Sequence, residues 1–400
     1  MFAVFPPIRK SAARLAAQGV ALASALWLAA CEPISLSSGT SAAGGPRIDP
    51  GAPVPVALLV PNGSQSSGDV FLAKALENAA RLAISDLQGV KVDLRVYATA
   101  GQAGQAQAAA SQAIADGAKI ILGPVFAEAA NAVGHVAATK GVNVLAFSNN
   151  ATIAGGNVFI LGPTFNTTAD RLTGFARSQG KGRILVVYSE NVEGQLGRNA
   201  IQQAIAAKGA TLAGAVGYEF SQPGVVAAIP KITAAARAGQ ADAVFLTANT
   251  AGALPLFAQM LPEAGLGPSS TQYIGLTRWD IPPQTLEMPG VQGAWFAMPD
   301  PTRTQAFASR YQGAFGETPP PIAGLAYDGI AAIGALVKAG KADALTGTAL
   351  TQGAGFQGAT GIFRLRGDGT NERGLAVAQI RDRKVVVIDA APGSFSGAGF

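Results

Sequence analysis

Few residues of this chain are of the types that perform covalent or metal-centred chemistry. Its 400 residues include one cysteine, Cys31, and one histidine, His135. A single histidine in an alanine-rich helical stretch cannot supply a multi-histidine metal site, and a single cysteine cannot form an internal disulfide. The sequence also lacks phosphate-loop, metalloprotease and nucleophile-elbow motifs, and no pair of carboxylates stands out. We therefore expect a protein that is not an enzyme, with no catalytic residue, no metal and no cofactor.

Polar side chains that could instead hold a ligand follow several predicted strands. Ligands of open α/β sheets bind beyond the carboxyl ends of the strands, so the loops at those ends are candidate walls of a polar cleft. Glu193, at the start of a later helix, is a candidate anion for a ligand cation. Two polar loops are the other candidates and contain Asn62, Ser64, Gln65, Ser148, Asn149 and Asn150.

Cys31 ends a segment that is typical of a bacterial export signal. Three basic residues precede an apolar stretch at 20–30, which is too short to span a bilayer as a mature helix. The sequence Leu-Ala-Ala-Cys at 28–31 resembles the bacterial lipobox, in which the cysteine becomes the lipid-bearing N-terminus. We expect residues 1–30 to be a lipoprotein signal peptide and Cys31 to be the lipidation site. The residue after the cysteine is Glu32 and not the aspartate that commonly marks lipoproteins retained in the inner membrane. This slightly favours anchoring in the outer membrane.

The charge balance does not favour nucleic-acid binding. The chain has 29 basic and 24 acidic residues, and removal of residues 1–30 takes away three basic residues and no acidic ones, so its net charge falls from +5 to +2. No later segment approaches the roughly 18 consecutive apolar residues of a membrane-spanning helix. We therefore expect a periplasmic protein that has no nucleic-acid partner and contacts the membrane only through its N-terminal lipid.

Apolar residues alternate between strand-like and helix-like patterns along the chain. Val54 to Val60 is a short strand-like run, and Phe71 to Leu87 has apolar residues at helical spacing. The alternation repeats to Phe147 and again, in a second series, from Thr168 to Leu276. Strands separated by single helices imply right-handed crossovers and parallel sheets covered on both faces. The predicted fold class is α/β, with two Rossmann-like lobes.

The two ends of the folded region have their own patterns. Residues 31–53 are rich in Ser, Gly, Pro and Ala, which is typical of a flexible tether. Gly361 to Arg366 and Leu375 to Ile388 are predicted to pair as a β-hairpin. Residues 391–400 are rich in glycine and serine and are predicted to be a disordered tail.

Four segments carry a resemblance to a known family. They are Ile121–Pro124, Gly141–Ser148, Glu193-Gly194 and Ala326–Asp328. Their order and spacing resemble the type I periplasmic solute-binding fold, the leucine-binding-protein family of ABC-transport receptors, over about residues 54–390. The resemblance implies two lobes joined by three crossovers near Pro163, Met298 and Phe356. Lobe 1 is then expected to contain residues 54–163 plus 299–356, and lobe 2 residues 164–298 plus 357–390.

The same resemblance implies which residues contact a ligand. The family holds an amino acid with hydroxyl and backbone groups of the first lobe, which correspond here to Ala127 and the Ser148–Asn150 loop. An aromatic residue and a carboxylate of the second lobe hold the α-ammonium group, and they correspond to Asn249 and Thr277. Neither side chain supplies the anion that a buried ammonium group needs, and Arg278 brings the opposite charge. We expect a small polar or amino-acid-like solute, although a free zwitterionic amino acid fits these positions poorly.

A second set of segments is rich in aromatic residues and arginine. It consists of Arg278–Asp280, Gly293–Ala297, Pro299–Pro301, Phe307, Arg310-Tyr311 and Phe315-Gly316. These segments resemble lipoproteins labelled penicillin-binding-protein activators, in which the same fold is thought to engage a peptidoglycan synthase. Trp279, Trp295 and Tyr311 could then form a surface anchor for a protein partner. Alternatively, Trp295-Phe296 are core residues at the end of a strand, which is the interpretation that we favour.

Two functions stay open on the sequence. The first is a lipid-anchored periplasmic solute-binding protein of the leucine-binding type, which holds a solute between two lobes and delivers it to an ABC permease. The second is a penicillin-binding-protein activator, a non-catalytic regulator of peptidoglycan synthesis whose partner is a peptidoglycan synthase. Both functions use the same fold and the same anchor.

Overall fold

The computed structural model of the chain describes residues 46–395. The predicted signal peptide, the predicted lipidation site Cys31, most of the tether and the last five residues of the predicted tail lie outside the described residues. Strands and helices alternate along the described range, as the apolar pattern predicts. None of the described helices combines the length and the hydropathy that a membrane crossing requires.

The described residues form strands and helices with the following bounds. The strands are β1 (Val54–Val60), β2 (Val92–Ala98), β3 (Ile120–Leu122), β4 (Asn143–Ala146), β5 (Val158–Ile160), β6 (Arg183–Ser189), β7 (Thr211–Tyr218), β8 (Ala243–Leu246), β9 (Gln272–Gly275), β10 (Trp295–Pro299), β11 (Phe356–Gly358), β12 (Gly361–Leu365), β13 (Asn371–Arg373), β14 (Leu375–Arg381) and β15 (Lys384–Asp389). The α-helices are α1 (Ser67–Asp86), α2 (Ala103–Ala115), α3 (Ala127–Ala138), α4 (Phe165–Ser178), α5 (Val192–Ala207), α6 (Gln222–Ala238), α7 (Leu254–Glu263), α8 (Pro301–Phe315), α9 (Ala323–Lys338) and α10 (Gly347–Leu350). Short 3-10 helices cover Ala151–Ile153, Pro283–Glu287 and Pro289–Val291.

The first sheet consists of five parallel strands in the order β2-β1-β3-β4-β5. Leu58 and Leu59 of β1 are fully buried, although neighbouring side chains of a strand point to opposite faces. Leu58 packs in a cluster with α1 and α9, and Leu59 packs in a second cluster with α2 and α3. Burial on both faces explains why β1 is an apolar run without alternation.

The second sheet has seven strands in the order β15-β14-β10-β9-β8-β6-β7. The five strands β6 to β10 are parallel, and β14 and β15 extend the sheet in antiparallel pairing. Phe245 of β8 packs in a cluster with α4 and α5, whereas Val244 and Leu246 face a cluster with α6 and α7. Both sheets are therefore covered by helices on both faces, as the fold class predicts.

The predicted hairpin between residues 361–366 and 375–388 is wrong. β12 pairs with β11 and β13 in a separate three-stranded antiparallel sheet, and β14 and β15 form a hairpin of their own. The turn of that hairpin is at Asp382 and Arg383, which have φ angles of 50° and 58°. Positive φ at both central residues suits the twist of a two-residue hairpin. The prediction failed because an apolar run shows that a segment is a strand but does not identify the strand with which it pairs.

The three-stranded sheet packs with the first sheet. Phe356 and Phe363 belong to the same buried cluster as β1 and α9. Asn371 Nδ2 donates to the carbonyl oxygen of Ile160, at the end of β5, over 2.8 Å. The expected lobe boundary at residues 356/357 does not coincide with these contacts, because the chain joins the second sheet only after Gly374.

Charged side chains stabilise this small sheet on its partly exposed side. Glu372 Oε2 accepts hydrogen bonds from Arg364 Nε over 2.9 Å and from Arg366 Nη2 over 3.0 Å. Partial burial acts to raise the pKa of Glu372, but the hydrogen bonds from the two arginines outweigh it and leave the pKa below its usual value. The carboxylate form is therefore favoured in the folded protein.

The aromatic residues proposed as a surface anchor lie in the core. Trp279, Trp295 and Tyr311 are 0%, 7% and 1% exposed. Trp279 Nε1 donates to the carbonyl oxygen of Ala248 over 3.3 Å, and the Trp295 ring packs edge-on against Phe175 with centroids 4.9 Å apart. Their apolar area is used in packing, so the surface-anchor possibility is wrong.

Candidate functional site

A cleft of about 770 Å³ lies at the carboxyl ends of strands from both sheets. It is lined by loops that follow β3, β4 and β5 of the first sheet and β8, β9 and β10 of the second. This is where open parallel sheets bind ligands. Its volume falls within the range of about 300–1,000 Å³ that is usual for small-molecule sites.

Most of the cleft wall is apolar. Phe126, before α3, and Ile281, after β9, lie on opposite sides of the cleft and are 38% and 48% exposed. Exposed apolar side chains on facing walls favour an apolar ligand body between them. Further apolar lining comes from Phe147, Phe165, Leu276, Met298, Ile322 and Leu325.

Seven of the eleven predicted ligand-binding residues line this cleft. They are Ala127, Ser148, Asn149, Asn150, Asn249, Thr277 and Arg278. Ser148 Oγ accepts from the backbone N–H of Asn150 over 3.1 Å. Asn150 Oδ1 in turn caps the 3-10 helix that follows, accepting from the backbone N–H of Thr152 over 2.9 Å. These two side chains therefore shape the loop after β4 as well as lining the cleft.

Two side-chain atoms of the cleft lack the hydrogen bond that a buried polar atom needs. Asn249 Oδ1 and Thr277 Oγ1 are buried and have no partner among the described residues. An unsatisfied buried polar atom costs about 1–3 kcal/mol, so most such atoms in folded proteins have partners. Both residues line the cleft, where a ligand's polar groups could supply the missing hydrogen bonds.

Arg278 brings a guanidinium group to the cleft wall. Its Nε donates to Asp280 Oδ1 over 2.8 Å, and its Nη2 bonds Asp280 Oδ2. The Arg278 side chain is 31% exposed, whereas that of Asp280 is 11% exposed. Asp280 holds the guanidinium in place but is not among the residues that line the cleft.

Arg373 brings a second guanidinium group to the cleft lining, and the sequence did not predict this residue as part of the site. Its Nη1 donates to Asp328 Oδ2 over 2.8 Å, and its Nε donates to the carbonyl oxygen of Leu161 over 2.8 Å. Asp328 is fully buried and also accepts from the backbone N–H of Ala359 and the hydroxyl of Thr360. This network joins β13, α9 and the end of β5 beneath the cleft. The only sequence signal for this network was the segment Ala326–Asp328, which is one of the four segments that resemble the solute-binding family.

Four predicted residues do not line the cleft. Ser64 Oγ donates to Asp69 Oδ2 over 2.7 Å, and Asn62 Oδ1 accepts from the backbone N–H of Gly63 over 3.0 Å. Asn62, Ser64 and Gln65 thus belong to the turn that leads into α1, where Asn62 Oδ1 and Ser64 Oγ form local hydrogen bonds. Glu193 lines a separate, smaller pocket of about 390 Å³ beside Asn149 and Asn150, because it lies in the first turn of α5.

No three His, Cys, Asp or Glu side chains within residues 46–395 are grouped as a metal site would require. The polar side chains that line the cleft carry hydroxyl, amide and guanidinium groups. These groups bind by hydrogen bonds and charge.

Two α/β units with a ligand-sized cleft at their strand ends define a two-lobed binding protein. Residues 53–384 match the family model described as periplasmic binding protein, so the chain belongs to that family. No curated protein matches the sequence significantly.

Solved structures share this fold at low sequence identity. One from Rhodospirillum rubrum, assigned to a branched-chain amino acid ABC transporter, has a TM-score of 0.70 at 19% identity, with 84% of this chain and 100% of that chain covered. An ABC transporter substrate-binding protein from Desulfitobacterium hafniense, in complex with Leu, has a TM-score of 0.61 at 19% identity and coverages of 84% and 100%. A solute-binding protein from Rhodopseudomonas palustris BisB5, in complex with 3,4-dihydroxybenzoic acid, has a TM-score of 0.56 at 19% identity and coverages of 85% and 96%.

Proposed function

We propose that this protein is the solute receptor of an ABC-type importer of the branched-chain amino acid type. In this role it captures a small organic solute between its two lobes and delivers it to a permease, without chemical change to the solute. The observation that carries the proposal is the cleft of about 770 Å³ at the strand ends of both sheets, with unpartnered Asn249 and Thr277 atoms in its wall. Membership of the periplasmic binding protein family supports it.

The proposed mechanism is closure of the lobes on the ligand. We take lobe 1 as residues 54–163 plus 299–373 and lobe 2 as residues 164–298 plus 374–390. Closure would remove Phe126 and Ile281, which lie on opposite walls, from water, and burial of apolar area contributes about 25 cal/mol per Å². A ligand with apolar area would add to this gain and shift the population toward the closed state.

A thermal-shift screen tests the receptor function. The chain from Glu32 onward is heated with amino acids, organic acids, amides and small peptides, each in excess. A ligand at a free concentration 100 times its Kd stabilises the folded state by about 2.7 kcal/mol, and this raises the melting temperature by several degrees. A panel in which no compound changes the melting temperature would overturn the proposal.

A matched pair of variants locates the binding. Thr277→Val removes the unpartnered hydroxyl from the cleft and is expected to weaken binding of the solute found. Thr211→Val makes the same exchange at an exposed position at the start of β7, away from the cleft, and is expected to leave binding unchanged. Equal effects of both variants would place the binding elsewhere.

We also propose that the protein is held at the membrane through a lipid on Cys31, after removal of residues 1–30. The basic residues, the apolar stretch and the lipobox-like 28–31 sequence support this anchor. Cys31→Ala should release the protein from the membrane fraction and abolish labelling with radioactive palmitate. Unchanged labelling would contradict the anchor.

The role of a penicillin-binding-protein activator has no favouring observation among the described residues. The aromatic residues that would have anchored a synthase, Trp279, Trp295 and Tyr311, are buried. We therefore propose transport rather than cell-wall regulation.

A further inference from the structure

The guanidinium of Arg278 has hydrogen-bonding capacity that the protein does not use. Its Nε and Nη2 bond Asp280, but no described residue accepts from the N–H groups of Nη1. Because Arg278 lines the cleft and Asp280 does not, a ligand meets the cationic end of this pair. Arginine is always charged in proteins, and its fork of N–H groups matches a carboxylate.

The two charged residues that line the cleft are both arginines. Arg373 is the second charged residue of the lining, and its carboxylate partner Asp328 is not a lining residue. The N-terminus of α3 also reaches the lining at Phe126 and Ala127, and Phe126 provides no side-chain cap for its free N–H groups. A helix N-terminus carries partial positive charge, of which Glu128 in the first turn of α3 offsets a part.

An α-ammonium group is poorly matched to these surroundings. It would lose its hydration in the cleft and face guanidinium groups and apolar side chains, which oppose a buried cation. A carboxylate would instead accept hydrogen bonds from Arg278 Nη1 and from the hydroxyl of Thr277, whose Oγ1 is buried and unpartnered. The apolar body of such a ligand would lie against Phe126 and Ile281.

We propose that the cleft takes an organic acid with an apolar body and no ammonium group, and that Arg278 holds the carboxylate of this ligand. The proposal rests on the receptor function proposed above and names the class of solute. Arg278 is then the specificity-determining residue that separates such acids from α-amino acids.

Calorimetric titration of the full-length chain in detergent with matched ligand pairs tests the proposal. 4-Methylpentanoate differs from leucine, and 3-phenylpropanoate from phenylalanine, only by the absence of the α-ammonium group. In at least one pair the acid is expected to bind with a Kd at least tenfold below that of the amino acid. The neutral amide 4-methylpentanamide, which lacks the negative charge, is expected to bind at least tenfold more weakly than 4-methylpentanoate.

Variants of Arg278 test the residue itself. Arg278→Gln is expected to raise the Kd of the acid at least tenfold, whereas Arg278→Lys, which keeps the charge, should retain part of the affinity. Arg81→Gln is the matched control, because Arg81 is also paired with a carboxylate, Glu77, but lies on the exposed face of α1. Thermal unfolding of each variant verifies that it is folded before titration.

The outcomes separate this inference from the receptor function. Tighter binding of leucine or phenylalanine than of the matching acid would overturn the inference and leave the receptor function standing. Equal binding of acid and amide, or an Arg278→Gln variant with an unchanged Kd, would also overturn it. Binding of none of these probes, with a solute other than an organic acid found in the thermal-shift screen, would refute the acid class alone. No binding by any compound in either experiment would refute both proposals.

Discussion

Removal of the Arg373 guanidinium is expected to destabilise the protein strongly. The Arg373 side chain is 5% exposed and that of Asp328 is fully buried, with Nη1 and Oδ2 2.8 Å apart. In Arg373→Met the carboxylate of Asp328 keeps its hydrogen bonds from the backbone of Ala359 and the hydroxyl of Thr360 but loses its counter-charge. Breaking a buried pair in this way costs about 3–5 kcal/mol, because a charge is left unpaired away from water.

The loss is measured by denaturant unfolding and compared with a matched exchange. Arg81→Met removes the same group from an exposed pair with Glu77, whose charged atoms are 2.7 Å apart. An exposed pair of this kind contributes about 0–1 kcal/mol. The difference between the two variants thus isolates the effect of burial, since the separations of the charges are similar.

A double variant tests whether the charges act as a pair. Asp328→Asn by itself leaves the arginine without its anion, and we expect it also to cost about 3–5 kcal/mol. In Asp328→Asn combined with Arg373→Met neither charge remains, so the loss should be smaller than the sum of the single losses by at least about 1 kcal/mol. Additive losses, or an Arg373→Met variant no less stable than Arg81→Met, would refute the reasoning.

Four further variants test titration and packing. Because the folded-state pKa of Glu372 lies below its usual value of 4.5, its contribution to stability is present above that pH and lost as the pH falls through the folded-state pKa. Unfolding of Glu372→Gln should therefore depend less on pH between about 5 and 3, and an unchanged pH profile would contradict this. A β-carbon at Gly197 in α5 would lie 2.8 Å from Leu276 Cδ2 and 2.9 Å from Cγ2 of the β-branched Thr247, so Gly197→Ala should lose about 1–3 kcal/mol. At exposed Gly313 in α8 nothing lies within 4 Å, and Gly313→Ala should gain up to about 1 kcal/mol by the same denaturation assay. Trp279→Ala should lose about 3–5 kcal/mol, whereas a surface residue would lose little.

Much of the fold could be predicted from the sequence, because the spacing of apolar residues along the chain indicates whether a segment is a strand or a helix. The run Val54–Val60 forms β1 with those bounds, since a strand buried on both faces must be apolar throughout. The predicted helix from Phe71 begins earlier, at Ser67, because Ser66 caps it by accepting from the backbone N–H of Asp69. That first turn lacks the apolar spacing on which the prediction relied.

The cleft was predictable only in part. The loop Ser148–Asn150 and the positions Asn249, Thr277 and Arg278 were predicted through the family resemblance and do line the cleft. Apolar lining residues such as Leu325 carry no local signal, because an apolar side chain facing a cleft has the same sequence pattern as one facing the core. The place of Arg373 in the cleft lining was not predicted, because its partner Asp328 is 45 residues away in the sequence.

The sequence by itself determined the alternation of strands and helices and the scarcity of catalytic side chains, since both follow from residue type and spacing. Tertiary structure alone decided that Trp279 and Trp295 are core residues, that β12 pairs outside the predicted hairpin, and that Asn62 and Ser64 do not line the cleft. Pairing and burial depend on what distant segments bring to the same place, and periodicity along the chain does not contain that information. For the same reason only the folded chain brings Arg278 and Arg373 to one cleft with their carboxylate partners outside its lining.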